Sequence, residues 1–192
     1  LCFRKNSQTY FRPASLETAI QLKSENPDAL FVTGASDVGL RVTKNREHLP
    51  LIIDLSGIDS LKAISENEDS ICFGAGASFE EVRIASENHF PALAKMLVVF
   101  GSLQIRHVAT LGGNLGTASP IGDTPPVLMA YKAEVEIAGK NGGRKMAVEN
   151  FITGYRQTAL QPGEIIKAVH IAKNQGGAII DSYKISKRRD LD

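Results

Sequence analysis

Two short apolar runs constrain this chain more than any other feature. Ala29-Leu-Phe-Val32 and Leu51-Ile-Ile-Asp-Leu55 each have strand length, and the residues between them hold one helix, read as running to about Asn45. Strands joined through a helix lie parallel in one sheet with a right-handed crossover, so this stretch predicts a compact βαβ unit. Pro50 closes the helical stretch before the second strand. Ahead of the unit, Ser15 caps a helix from Leu16 to about Ser24, with Leu16, Ala19 and Ile20 on one face.

The pattern changes after about residue 58. Leu61-Lys-Ala-Ile-Ser65 and Ser70-Ile-Cys-Phe-Gly74 flank the polar turn Glu66-Asn-Glu-Asp69 and predict a hairpin. Ser78 and Glu81 form a capping box that opens a helix to about Asn88, and Pro91 suits the first turn of another through about Val99. Pro125-Pro126 open a helix to about Tyr131. Ala133–Ala138 and Arg144–Val148, joined at Asn141-Gly-Gly143, predict a second hairpin, and 164–171 and 178–184 read as late strands. The expected class is α+β in two subdomains: residues 1–58 a small parallel unit, residues 59–192 a larger mixed, mostly antiparallel one.

Composition narrows the function classes. With 22 Lys+Arg against 21 Asp+Glu, the net charge of +1 supplies no field for nucleic acid or a membrane surface. No apolar run reaches the ~18 residues of a membrane span. The N-terminus has no secretory pattern. Cys2 and Cys72 are the only cysteines, too few and too far apart for a disulfide framework or a thiolate metal site, and fit reduced thiols of a cytoplasmic protein. No metal ligand set is expected in this chain.

Three glycine clusters remain. Gly74-Ala-Gly76-Ala-Ser-Phe79 sits between a strand and a helix like a dinucleotide fingerprint. Phe79 takes the third glycine position, however, and Glu80-Glu81 crowd the end that would face a pyrophosphate, so it reads as a plain strand-to-helix turn. Thr33-Gly-Ala-Ser-Asp37 has the same placement, with small residues that let backbone amides approach a phosphate and a hydroxyl at Ser36. Taken alone it is either such a loop or an ordinary capped turn. The third cluster lies in the long segment 101–124, read as a loop. It carries hydroxyls, an amide and a carboxylate with few charges, groups suited to a large neutral-to-anionic ligand.

Ala109-Thr-Leu-Gly-Gly-Asn-Leu-Gly-Thr-Ala-Ser-Pro-Ile-Gly-Asp123 closely resembles the flavin-binding segment of the xanthine dehydrogenase family. These are molybdenum hydroxylases with separate molybdopterin, FAD and [2Fe-2S] modules. Tyr10-Phe-Arg-Pro-Ala-Ser15, Tyr155-Arg-Gln-Thr158 and Tyr183-Lys-Ile-Ser-Lys-Arg-Arg189 resemble it too, in one order over about residues 8–192. The likeness is greatest to the bacterial members, whose iron–sulfur and flavin domains share one subunit while the molybdenum domain is another. It implies two subdomains clasping FAD.

Residue by residue, the resemblance implies a first pyrophosphate loop at Phe31, Val32, Thr33, Gly34, Ala35, Ser36 and Asp37, with Ala35 and Ser36 where Gly and Thr are commoner. Phe100 and Gly101 would lie near the flavin and adenine end. Thr110, Gly113, Asn114, Gly116 and Thr117 would form the second wall. Asp123 would bond ribityl or ribose hydroxyls, Ile166 would pack on the cofactor, and Lys184 would reach a flavin or phosphate oxygen. His107, where Asn is frequent, receives no role, and no acid–base catalyst is expected.

Neither a four-Cys [2Fe-2S] motif nor a molybdopterin-binding sequence occurs in the chain. Those cofactors are therefore expected on an iron–sulfur domain and a molybdopterin subunit of the same enzyme. NAD would be the electron acceptor, and the chain would be a fragment that does not oxidise a purine alone. The alternatives are the FAD module of a carbon monoxide dehydrogenase-like or aromatic-acyl-CoA reductase-like enzyme, or a binding or scaffold module without flavin.

Overall fold

A computed structural model describes residues 1–187. The Arg188-Arg189 part of the C-terminal basic run lies outside the described residues.

The first sheet has four strands. They are β1 (Cys2–Lys5), β2 (Gln8–Phe11), β3 (Leu30–Val32) and β4 (Leu51–Asp54), in the order β1-β2-β4-β3. β3 and β4 pair in parallel as the sequence predicts, and β2 also runs parallel to β4. The β1–β2 hairpin is additional to the expected unit. Its tip carries Asn6 at φ +53, and its strands are too exposed to leave an alternating apolar pattern. Helix α1 (Leu16–Glu25) follows β2. The Ser15 hydroxyl accepts from the Thr18 amide, and Ala19 is buried. Helix α2 is shorter than predicted, Val38–Thr43. Ala19, Ala29, Ile53, Leu55, Ile58 and Leu61 pack around this sheet together with Ile165 from the far end of the chain.

The second sheet contains β5 (Ile64–Glu66), β6 (Ser70–Gly74), β7 (Glu134–Gly139), β8 (Gly142–Ala147) and β11 (Ile165–Ala172). Its order is β5-β6-β11-β7-β8, antiparallel throughout. A two-stranded ribbon, β9 (Ile152–Gly154) with β10 (Gln157–Thr158), precedes β11. One face of the large sheet sends Ile71, Phe73, Val135, Ile137, Val169 and Ile171 into the main core. That core also receives Phe79 and Val82 of α3 (Phe79–Ser86) and Leu93 and Leu97 of α4 (Pro91–Val98). Each fully buried large side chain contributes about 1.5–3 kcal/mol of transfer free energy. The other face is polar: Glu136 accepts from Lys167 at 2.7 Å and meets His170 at 2.6 Å, and Cys72 Sγ lies 3.8 Å from His170 Nε2. Both cysteines are free.

The capping box forms as predicted, with the Glu81 carboxylate accepting from the Ser78 amide at 2.8 Å. Three expectations are corrected. Segment 101–124 is not an irregular loop. It folds into α5 (Leu103–Val108) and α6 (Leu111–Thr117), capped by Ser102 and Thr110, before α7 (Thr124–Ala130) begins. Residues 178–184 form no strand. They run instead along α4, where the Ser182 hydroxyl donates to Ala92 O and Lys95 pairs with Asp181 at 2.7 Å. That pair pulls the Asp181 carboxyl down to about 2. The predicted strand at 61–65 is confined to β5, because 59–61 make a 3-10 turn. A final short helix, α8 (Val148–Phe151), buries Val148 and Phe151.

Candidate functional site

A cavity of about 800 Å³ opens between the two sheets. One wall is the connection from β3 to α2: Phe31, Val32, Thr33, Gly34, Ala35, Ser36 and Asp37 all line it. The opposite wall is α6 with its cap, where Thr110, Gly113, Asn114, Gly116 and Thr117 line it. Phe100 and Ile166 complete the enclosure. Segments widely separated in sequence, and expected from it to share one ligand, thus share one cavity.

The two walls touch at one end. Thr33 Oγ1 and Thr110 Oγ1 lie 2.8 Å apart. A Cβ at Gly34 would sit 1.5 Å from Val108 O, so only glycine fits there. Ala35 adopts φ +57, a left-handed conformation in which glycine is at ease and alanine is strained. Among the described residues, the amides of Gly34, Ala35, Ser36 and Asp37 have no acceptor. A row of adjacent unpaired amides is an anion-binding surface. The glycine turn at 74–76 is the opposite case. Its Gly74 and Gly76 amides donate to Ala63 O (2.8 Å) and Leu61 O (2.6 Å), and Phe79 is fully buried, so that cluster is structural.

On the second wall, the Thr110 hydroxyl accepts from the Gly113 amide at 3.1 Å and starts α6. Gly112 lets the helix lie on Ala75, since a Cβ there would come within 2.5 Å of the Ala75 methyl. Asn114 Oδ1 accepts from the buried Thr124 hydroxyl. That leaves the Asn114 amide NH₂ as its donor toward the cavity.

Phe100 is held edge-on against Phe79 at 4.5 Å between ring centroids. Arg106 fixes the backbone around it, donating to Val98 O, Phe100 O and Gly101 O, while its Nε bonds Glu80 at 3.0 Å. Gly101, at φ +50, belongs to this turn and is not a lining residue. Asp123 and Lys184 form an ion pair of 2.8 Å and also lie off the cavity surface, with the Lys184 ammonium 5.8 Å from the Phe100 ring centroid. His107 is exposed in the last turn of α5.

Several lining residues were not singled out from the sequence: Gly112, Ser119, Ile121, Gly122, Arg156 and Leu160. Ser119, Ile121 and Gly122 belong to the glycine-rich segment, where the Ser-Pro-Ile-Gly turn was a usable signal. Arg156 sits at the tip of the β9–β10 ribbon and Leu160 just after it; the Tyr155-Arg-Gln-Thr158 run carried a family resemblance but no site role. Lys23 also reaches the cavity, but its ammonium donates to Pro27 O and Ala29 O, and burial lowers its pKa.

Comparisons with known proteins identify the family and the fold. A family model described as the FAD binding domain in molybdopterin dehydrogenase matches residues 3–173. Xanthine dehydrogenase of Drosophila pseudoobscura pseudoobscura is 35% identical over the whole chain, and xanthine dehydrogenase/oxidase of Gallus gallus is 33% identical. The chain spans only 16% and 15% of the length of those two relatives. Among solved structures, a carbon monoxide dehydrogenase from Hydrogenophaga pseudoflava superposes with a TM-score of 0.90, at 21% identity, over 98% of this chain and 67% of that one. That last likeness is one of fold. The sequence match over nearly the full chain, on the same α+β scaffold, places this chain in the family of FAD-binding domains of molybdopterin dehydrogenases.

Proposed function

We propose that the cavity between the two sheets binds FAD and that the chain is the flavin domain of a xanthine dehydrogenase-like molybdenum hydroxylase. The observation that carries this is the pairing of two backbone-rich walls around about 800 Å³, with four adjacent unpaired amides at 34–37 on one of them. Amides and helix-capping hydroxyls can hold a pyrophosphate without a cluster of lysines, in keeping with the net charge of +1. The Asn114 NH₂ and the Thr117 and Ser36 hydroxyls bond the polar middle of the ligand, and Phe100 and Ile166 pack on its rings. Asp123 and Lys184, paired with each other next to Phe100 and off the present lining, are the proposed partners of sugar or ribityl hydroxyls and of a flavin or phosphate oxygen. Gly101 shapes the turn that presents Phe100. The subdomain boundary falls near residue 58, just before the 3-10 turn into the larger sheet.

Bound FAD supplies redox chemistry, and the protein sets its position and potential. In the whole enzyme, electrons would arrive from an iron–sulfur domain and a molybdopterin subunit and leave to NAD, in the cytoplasm, with a purine as the oxidised substrate. The 33–35% identity to xanthine dehydrogenases supports that member of the family over its carbon monoxide-oxidising sibling, whose likeness is structural. The test is to purify the protein, release its chromophore by heat and identify it. FAD in the supernatant, bleached in the intact protein by NADH but not by xanthine, is the expected result. A colourless protein that takes up no added flavin overturns the reading, and xanthine-dependent bleaching overturns the division of labour.

A further inference from the structure

We propose that Arg156 is the side-chain anchor for the negative charge of the bound dinucleotide, an inference that rests on the FAD reading above. Three cations line the cavity: Lys23, Arg41 and Arg156. Two are already committed. The Lys23 ammonium is held by Pro27 O and Ala29 O, and Arg41 forms a two-bonded ion pair with Glu47. Arg156 has no hydrogen-bond or ion-pair partner among the described residues. The lining carboxylates do not claim it. Glu164 is paired with Arg144 at 2.8 Å, and Asp37 stands on the opposite wall beside Arg41.

The backbone supports the placement. Arg156 occupies the tip of the β9–β10 ribbon at φ +51, where an arginine gains nothing locally and a glycine or asparagine is the easier choice. The ribbon is fixed at its base, since Ala159 N donates to Phe151 O and Phe151 is fully buried. A guanidinium on a braced tip, facing a cavity whose other cations are occupied, matches a phosphate better than a neutral group. The amides at 34–37 then hold the pyrophosphate from one side, and Arg156 neutralises it from the larger unit. A ligand without phosphate loses this partner, so the residue would select a nucleotide over a bare flavin.

The experiment measures binding of FAD and riboflavin to the full chain and to Arg156→Ala and Arg156→Lys, at low and high ionic strength. Arg156→Ala is expected to raise the FAD Kd about tenfold at low salt, the low end for a charge-assisted bond at an open site, and to narrow that gap at high salt. Riboflavin affinity should be unchanged, and Arg156→Lys should recover part of the loss. Equal FAD affinity in parent and Arg156→Ala overturns the inference while leaving the FAD site intact. An equal loss for riboflavin also overturns it, because the tip would then be acting through shape. A parent protein that binds no FAD removes the underlying reading and this inference with it.

Discussion

At the scale of single residues, the site depends on a few positions that admit one side chain each. Gly34 is the strictest, because the two walls meet there with no room for a methyl group. Gly34→Ala is expected to push the 33–37 loop off Val108, break the Thr33–Thr110 contact and weaken FAD binding by well over tenfold, as read by calorimetry. Ala35 makes the opposite case. Its φ of +57 is strained for alanine, so Ala35→Gly should relieve the folded state. After the added freedom of the unfolded chain is deducted, a gain of about 0.5 kcal/mol should remain, visible as a small rise in Tm. Asn114→Leu removes an amide that accepts from Thr124 and faces the cavity, leaving polar atoms unpaired. A loss of about 1–3 kcal/mol in FAD affinity is expected, and an unchanged isotherm contradicts the assignment. Small residues and hydroxyls cluster in the loop and in α6, and the family resemblance is what assigned both to one ligand; the structure lines one cavity with them. Arg156 lies in the family-like Tyr155-Arg-Gln-Thr158 run but received no role, because an arginine on a ribbon tip gains its meaning only from which other cations are already paired.

At the scale of elements, local signals succeeded where a cap or a proline fixes the chain and failed where tertiary contacts decide. The Ser78–Glu81 box and Pro91 marked α3 and α4 to within a few residues. α6 was missed because Gly112, Gly113 and Gly116 lower helix propensity, and Thr110 with the packing on Ala75 overrides that; α5 is six residues long and buries none of them, so no apolar period marks it. The 178–184 run has strand-like residues but finds hydrogen-bond partners on α4 instead of a sheet edge. Arg106 ties α5 to α3 through Glu80 and holds the Phe100 turn. Glu80 is kept below the usual carboxylate range, first by Arg106 and then by Arg83. A depressed carboxylate stabilises above its unfolded pKa of about 4.3, and that contribution is lost as pH falls through the lower folded value. Tm followed by circular dichroism should therefore drop as pH is lowered from about 5 toward 3, and Arg106→Gln should flatten that slope. Equal slopes in the two proteins would show that the pair does not hold the turn.

At the scale of the whole molecule, the parallel first unit and the antiparallel second one were both legible, the first from two apolar runs around one helix and the second from hairpin turns. Their junction was not. Ile165 and Leu61 belong by sequence to the larger unit but pack into the core of the smaller, so the units share apolar contacts beside the cavity. No local period announces a side chain that crosses between cores. This shared packing holds the two units against each other beside the cavity. The most direct test is a calorimetric titration of the protein with FAD, FMN and riboflavin under one buffer condition. The account predicts FAD bound at least about tenfold more tightly than FMN, one decade or about 1.4 kcal/mol for contacts made only by the dinucleotide's second half. FMN binding as tightly as FAD would contradict it, because the two walls would then not be gripping one extended ligand.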